Sequence, residues 1–418
     1  MTRNSRGHPP AWYVLNWLVP ALFALLVSEV IRFHSLSLVA TMPRMVGNLL
    51  ALDAAALLGL LALDRRITVP RDIARLLLAL TASSAVSVLG SGDTDTSLLR
   101  LELYVAVALL ATAFYLFNRD TVRVPLEGHF LAVSLVYLPF LFSAVLWVSD
   151  LTPPYWQDGP RVAQFMHVRQ FGEFSFFAAV GATALGVISR RMAWPSFLLT
   201  AAALFGIILT GCRGALLSWI LFAVLLCSCC PARLRTGLFT TGSLALVSLL
   251  VWYLDQSGLM DSPNVFGRVA QAVQDSGAGF DSGRIQIWIE SAKQIVKHPV
   301  FGSGPEGYWI SGCCDRLAMQ AHNFVLQFLM EFGAMGCGIA LLILYRAVRH
   351  LGGFAGALAL VGATPANRVL ASMIVAYLAY SLIDQTMYHL LPMLLIAPVI
   401  GLFAAGLAQA RAAVMASG

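Results

Sequence analysis

Residues 254–320 read LDQSGLMDSPNVFGRVAQAVQDSGAGFDSGRIQIWIESAKQIVKHPVFGSGPEGYWISGCCDRLAMQ, and residues 321–333 continue as AHNFVLQFLMEFG. The stretch is a polar segment that runs into a helix start, set among long apolar runs. Eight of the chain's 21 acidic residues fall between Asp255 and Gly333, together with Arg268, Arg284, Lys293, Lys297, Arg316 and His322. Outside it the 418-residue chain is so apolar that 59% of all residues are hydrophobic and 11% charged, with a mean hydropathy of +0.78. Soluble domains carry about 25% charged residues, so this is an integral membrane protein. Apolar stretches of about 17–21 residues recur too often for a signal peptide ahead of a soluble domain. The net charge of +6 is therefore read by side of the membrane, and no nucleic-acid partner is expected.

The apolar pattern predicts an all-α, polytopic fold of about twelve spans, near 11–31, 46–63, 72–90, 98–117, 128–148, 171–189, 193–209, 215–230, 236–254, 324–345, 368–384 and 390–410. Helices are the spanning form, because backbone groups in hydrocarbon must be satisfied within the segment. The expected organisation is a bundle over 1–254, a large outer loop with short helices over 255–321, and a second bundle over 322–418. With the N-terminus in the cytoplasm, sixteen of the 27 Lys and Arg fall on inner connections, and each such connection holds at least one. The point on which this topology turns is the Gly-rich apolar run 351–361, which would invert the last two spans if it crossed the membrane.

Eleven cations then remain outside, among them Arg161, Arg169, Arg213 and Arg284. Arg213 stands in the tight turn Thr210-Gly211-Cys212-Arg213-Gly214 between two apolar runs. A cation held there invites an anionic partner or snorkels to lipid phosphate. Asp281 or Ser282 suits a helix N-cap, and the apolar period of Ile285, Ile289 and Ile295 predicts an amphipathic helix to about Val296. Arg284 would occupy its first turn, unfavourable toward the helix dipole and well placed to grip a phosphate; the plainer reading is a surface arginine. His298 to Pro305 reads as a rigid Gly/Pro connector without the spacing of a phosphate loop. His322 opens the tenth span. Its ordinary pKa of about 6.5 makes it the side chain fit to act as a base near neutral pH, although a lone histidine is more often structural. Asn323 and Gln327, four apart on one face, are placed to orient a ligand. Asp384, followed by Tyr388 and His389, lies at the outer end of the eleventh span, where a carboxylate needs water or a partner. Tyr155 and Trp156 read equally as interface aromatics. Of the seven cysteines Cys313 and Cys314 are adjacent, and pairing with Cys212 or remaining reduced are both open. No zinc-type cysteine set is visible, and no metal or other cofactor is expected.

Taken together, Cys212-Arg213-Gly214-Ala215, Ser282-Gly283-Arg284, the helix from Trp288 to Pro299 with Phe301-Gly302-Ser303-Gly304, and His322-Asn323-Phe324-Val325-Leu326-Gln327 ending at Glu331-Phe332-Gly333 resemble the bacterial O-antigen ligase and polymerase superfamily. Arg169-Gln170-Phe171-Gly172 is similar to a degraded form of a further family element. The resemblance runs from about 161 to 333 by motif. It implies a GT-C-like membrane glycosyltransferase of the bacterial inner membrane that works on the periplasmic face. The donor would be an undecaprenyl-diphosphate-linked O-antigen, the acceptor a sugar hydroxyl of lipid A–core, and membrane lipids the surroundings. His322 then corresponds to the family's essential histidine, and Arg213 and Arg284 to its essential arginines. Arg161 and Arg169 complete the diphosphate-binding set, with Asn323, Gln327 and Asp384 in support. After Arg169 the family's Pro-Asn is missing, which leaves that position's role open.

The chemistry fits the residues. A diphosphate leaving group needs charge stabilisation, which arginines supply, and an acceptor hydroxyl needs a base. One histidine without a carboxylate pair points to direct displacement with inversion. A polymerase of the same superfamily is the alternative, a protein O-oligosaccharyltransferase a third. A transporter of an anionic lipid-linked substrate, from another class, would require charges near the bilayer midplane and internal repeats.

Overall fold

The computed structural model describes residues 69–119, 126–149, 168–229, 233–257, 284–312, 320–384 and 386–417, and among them the chain is helical with no strand. In chain order the helices are α1 (Arg71–Leu89), α2 (Thr94–Asn118), α3 (Leu126–Ser149), α4 (Val168–Ile188), α5 (Ala193–Leu209), α6 (Arg213–Cys229), α7 (Arg233–Gln256), α8 (Arg284–Lys297), α9 (Gly307–Ile310), α10 (Phe324–His350), α11 (Gly353–Gly362), α12 (Pro365–Asp384) and α13 (Leu390–Ser417). Eight of these are long and apolar enough to cross a membrane, and the apolar parts of α3, α6 and α11 are shorter. Ten expected spans coincide with helices; those near 11–31 and 46–63 lie outside the described residues, as do Arg161, Tyr155, Trp156, Asp281, Ser282, Cys313 and Cys314. Residues 353–362 form a helix of only 10 residues. At about 1.5 Å per residue it rises about 15 Å, half the hydrocarbon thickness, and does not cross.

The bundle is organised around α4, which packs against α3, α5, α6, α12 and α13. Phe171, Phe174, Phe176 and Phe177 on this helix are buried, interleaved with buried Ala178, Ala179, Ala182 and Ala184 that let neighbouring backbones approach. Helices alternate in direction, so the bundle has two distinct ends. At one end Ser87 of α1 donates to the carbonyl of Glu331, and Arg100 of α2 pairs with Glu306. At the other, Asp72 faces His350 and Gln409 donates to the carbonyl of Asn118. The second end also takes the helix termini that carry Arg71, Arg75, Arg119, Arg190, Arg191, Arg346, Arg349, Arg368 and Arg411, against the acids Asp72 and Glu127.

α10 is spliced rather than continuous. Gly333 takes φ 64 and ψ −172 inside it, which opens the two intrahelical bonds that would join Ala334 to Met330 and Met335 to Glu331. The Gly/Pro connector closes all four orphaned groups. Ser303 N donates to Met330 O at 2.8 Å and Gly304 N to Glu331 O at 3.1 Å; Ala334 N donates to Pro299 O and Met335 N to Val300 O, both at 2.9 Å. A Cβ at Gly302 would lie 2.4 Å from Glu331 O, and one at Gly333 would lie 2.3 Å from Val300 O. The connector is thus welded backbone to backbone into the wall of the bundle, as its composition led us to expect of a rigid turn.

Alanine at Gly302 or Gly333 is expected to destabilise the purified protein by at least the ~1–3 kcal/mol of a strained backbone, read as a lower thermal unfolding temperature. Gly338→Ala, with nothing within 4 Å of the added Cβ, should be neutral or slightly stabilising. Equal melting of all three variants would contradict the splice.

Candidate active site

Three helix termini meet at the end of the bundle that carries Ser87 and Glu331. Arg213 is the first residue of α6 and Arg284 the first of α8, whereas Asp384 is the last of α12. Each sits where its charge opposes the helix dipole. Local electrostatics therefore argue against all three positions, and such disagreement between local and global choices is expected at functional sites.

The Asp384 carboxylate, 5% exposed, gathers the set. Its Oδ1 accepts from Arg284 Nη2 at 3.1 Å and lies 3.9 Å from Arg169 Nη1 and 3.5 Å from His322 Nδ1. The His322 separation is longer than an ordinary hydrogen bond, and Nδ1 is a buried atom with no hydrogen-bond partner. Two guanidinium groups face one carboxylate, so cationic charge remains in excess. The start of α6, which carries Arg213, packs against the last turns of α12. A Cβ on the adjacent Gly214 would touch the Tyr380 ring at 3.0 Å and Ile383 at 3.6 Å, in the last turns before Asp384. The turn before Arg213 is pressed onto α4, where a Cβ at Gly172 would lie 2.4 Å from Cys212 Sγ. Cys212 is a free buried thiol whose pKa burial pushes up to about 12, with Asp384 acting in the same direction.

His322 is held from both sides. Ala321 N donates to Gln327 Oε1 at 3.0 Å, and Gln327 Nε2 donates to Glu331 Oε1 at 2.6 Å. Asn323 Oδ1 caps α10 by accepting from Val325 N and Leu326 N, while its Nδ2 donates to Leu382 O at 3.2 Å. Both residues thus brace the backbone on either side of the histidine. Between them His322 adopts φ 51, in the left-handed region that non-glycine residues rarely occupy. Burial holds its imidazole below the ordinary value of 6.5; Asp384 opposes that shift, and Arg169 and Arg284 add to it. The ring is therefore neutral and able to accept a proton at physiological pH.

Glu331 anchors a second buried network that the sequence did not disclose. Its Oε2 accepts from Tyr104 OH at 3.0 Å and its Oε1 from Glu306 N at 3.2 Å. Glu306 in turn pairs with Arg100 Nε at 3.1 Å and accepts from Tyr388 OH, and Arg100 stacks 3.9 Å from the centroid of the Tyr388 ring. The connector, α2, α10 and the turn before α13 are thereby tied together directly behind His322. An acid within an apolar run was the available signal for Glu331 and for Glu173, which is fully buried on α4. Arg284 Nε and, one turn on, Trp288 Nε1 are buried donors without acceptors, as an anion-binding surface would leave them. His298 is exposed, as expected.

The set has one cation-rich corner, one neutral imidazole and one carboxylate binding them, which suits the transfer of a group from an anionic leaving group. Residues 195–343 match the family model described as O-antigen ligase. Those residues, less than half of the chain, are similar to that family. The matched segment holds Arg213, Arg284 and His322, whereas Arg169 and Asp384 lie outside it. No curated protein matches the chain. The candidate site thus draws on both the matched segment and the helices that frame it.

Glycine at His322 relieves the left-handed backbone, so His322→Gly should melt no lower than the wild-type protein. A loss of stability comparable to that of a buried core truncation would show instead that the imidazole is held for packing.

Proposed function

We propose that this protein is an O-antigen ligase of the bacterial inner membrane, transferring a glycan from undecaprenyl diphosphate to a sugar hydroxyl of lipid A–core. The observation that carries the reading is the convergence of Arg169, Arg284 and His322 on the single buried carboxylate of Asp384. The arginine-rich opposite end supports a cytoplasmic placement for it, which puts the site on the periplasmic side. In this reading the chain has twelve spans, with residues 255–321 forming the outer loop.

The arginines receive the donor's diphosphate: Arg284 and Arg213 from helix starts, where free N–H groups add to the attraction, and Arg169 from α4, with Arg161 completing the set. Asp384 orients them and faces His322 Nδ1, so the proton of the neutral ring is placed on Nδ1 and the basic lone pair on Nε2. An acceptor hydroxyl delivers its proton to Nε2 as its oxygen forms the new bond to the anomeric carbon. The bond from that carbon to the phosphate oxygen breaks on the opposite face, and undecaprenyl diphosphate leaves with its charge held by the arginines. The product is inverted at the anomeric carbon. Base catalysis of this kind contributes roughly 10²–10⁴-fold, and the arginine set several kcal/mol more. The buried charges Arg100, Glu173 and Glu331 all lie within the first turns of their helices at the site end, not at midspan as a transporter would require.

The direct test supplies purified protein with lipid A–core and the lipid-linked glycan. Capped lipid A–core is expected; glycan that lengthens on the carrier lipid, with none on the core, would select a polymerase. His322→Gly should reduce transfer by roughly 10²–10⁴-fold. Arg284→Lys should impair it strongly, because a point charge cannot reproduce bidentate phosphate contact. Wild-type activity should fall on acidification through a limb below the ordinary histidine value, as His322 gains its proton. In Asp384→Asn the attraction that favours the imidazolium is lost, so the limb should move to still lower pH, with a fall in rate of roughly 10–100-fold. A limb that stays put would remove Asp384 from the base.

A further inference from the structure

Each chain segment that builds the Asp384 cluster contributes a second polar residue close by. On α4, Arg169 is followed one turn later by Glu173, on the same helix face. In the 320–323 loop His322 is preceded by Gln320, and beyond Asp384 the turn into α13 carries His389. These three second residues contact one another. His389 Nδ1 lies 2.6 Å from Glu173 Oε1, and Gln320 Nε2 lies 3.0 Å from His389 Nε2. The result is a second tier, displaced by roughly one helix turn or 5.4 Å along α4, that repeats the carboxylate–imidazole pairing of the first. Glu173 is within electrostatic reach of both Asp384 and Arg169, so the tiers adjoin.

The tiers differ in what they lack. In the first, Arg284 Nε and Trp288 Nε1 are buried donors in want of acceptors. In the second, Glu173 Oε2 and Gln320 Oε1 are buried acceptors in want of donors, on residues 0% and 5% exposed. They flank the one ring of the tier that reaches the surface, His389, whose side chain is 18% exposed. A carboxylate oxygen repels phosphate and binds O–H donors, and a buried acceptor left empty costs about 1–3 kcal/mol. A ligand rich in hydroxyl groups supplies what is missing.

We infer that Glu173, His389 and Gln320 form a hydroxyl-binding subsite that takes a sugar of the glycan substrate, beside the arginines that take its diphosphate. The inference rests on the glycosyltransferase reading and adds the groups that recognise the sugar. The sugar comes from the donor glycan or from the acceptor core, and the Michaelis constant that moves identifies which.

The test uses purified full-length wild-type protein, Gln320→Leu and Glu173→Gln, with lipid A–core, the lipid-linked glycan and monodeoxy analogues of the terminal sugars of each. One analogue is expected to lose about 100-fold in kcat/KM with the wild-type protein, because it leaves a buried acceptor unpaired. Both variants should raise KM for that same glycan about tenfold while kcat changes less than about threefold. The analogue should then cost Gln320→Leu nothing further, as expected of two partners in one contact. If no analogue weakens the wild-type enzyme, or if analogue and variant penalties simply add, the cluster holds only water and the subsite falls. Tryptophan fluorescence with the carrier-free glycan and with delipidated core oligosaccharide separates this inference from the one beneath it. Saturable binding that Gln320→Leu weakens, without transfer by the wild-type protein, would keep the subsite and reject the transferase; transfer with unmoved KM values would do the reverse.

Discussion

A carboxylate buried at the end of an apolar helix is unfavourable unless cations surround it; Asp384 meets that condition with two arginines, and a neutral imidazole faces it from a third segment. Arg169 comes from the central helix, Arg284 from the start of α8, and His322 from the strained corner ahead of α10. Removing either arginine leaves the Asp384 charge buried with less compensation, so the ion-paired groups hold or fail together. The bundle can therefore deviate little at this end. Gly172 is pressed against Cys212 and Gly214 against Tyr380, and both contacts bring helix termini into range of Asp384.

The polar connector contributes in a different currency. Four backbone bonds between residues 299–304 and the break at Gly333 replace those that α10 gives up. Because the break comes shortly after Glu331, that side chain can serve Gln327, Tyr104 and the backbone of Glu306 together. Through Gln327 the network reaches Ala321 and so fixes the residue before the histidine. Rigid support on both sides of His322 is what keeps an uncommon backbone conformation populated, and it aims the ring without a ligand present.

Much of this was legible in the sequence. The expected span at 193–209 coincides with α5, and the reading of 298–305 as a rigid turn matches the weld at Gly302. His322, Arg284, Asp384 and Arg169 each stood out singly, because a charged residue at the edge of an apolar run is conspicuous. Their meeting did not, since contacts between distant helix ends leave no local periodicity. The fourfold spacing of Gln327 and Glu331 was the local sign that these two side chains serve each other. Glu173 and Glu331 were passed over inside apolar runs, where an acid is a stronger signal than at a boundary. Gln320 carried no signal at all, because an amide beside a helix start is common. Arg100, Glu306 and Tyr388 form a group only in three dimensions.

In this reading burial keeps the His322 ring neutral while Asp384 fixes its tautomer, so that it takes a proton through Nε2 while the arginines hold the leaving group. Nitrogen NMR of the 15N-histidine-labelled protein, with the His322 signals assigned by comparison with His322→Gly, reads both properties at once. At neutral pH the account predicts an uncharged His322 ring with its proton on Nδ1. An imidazolium at that pH, or a proton residing on Nε2, would contradict it.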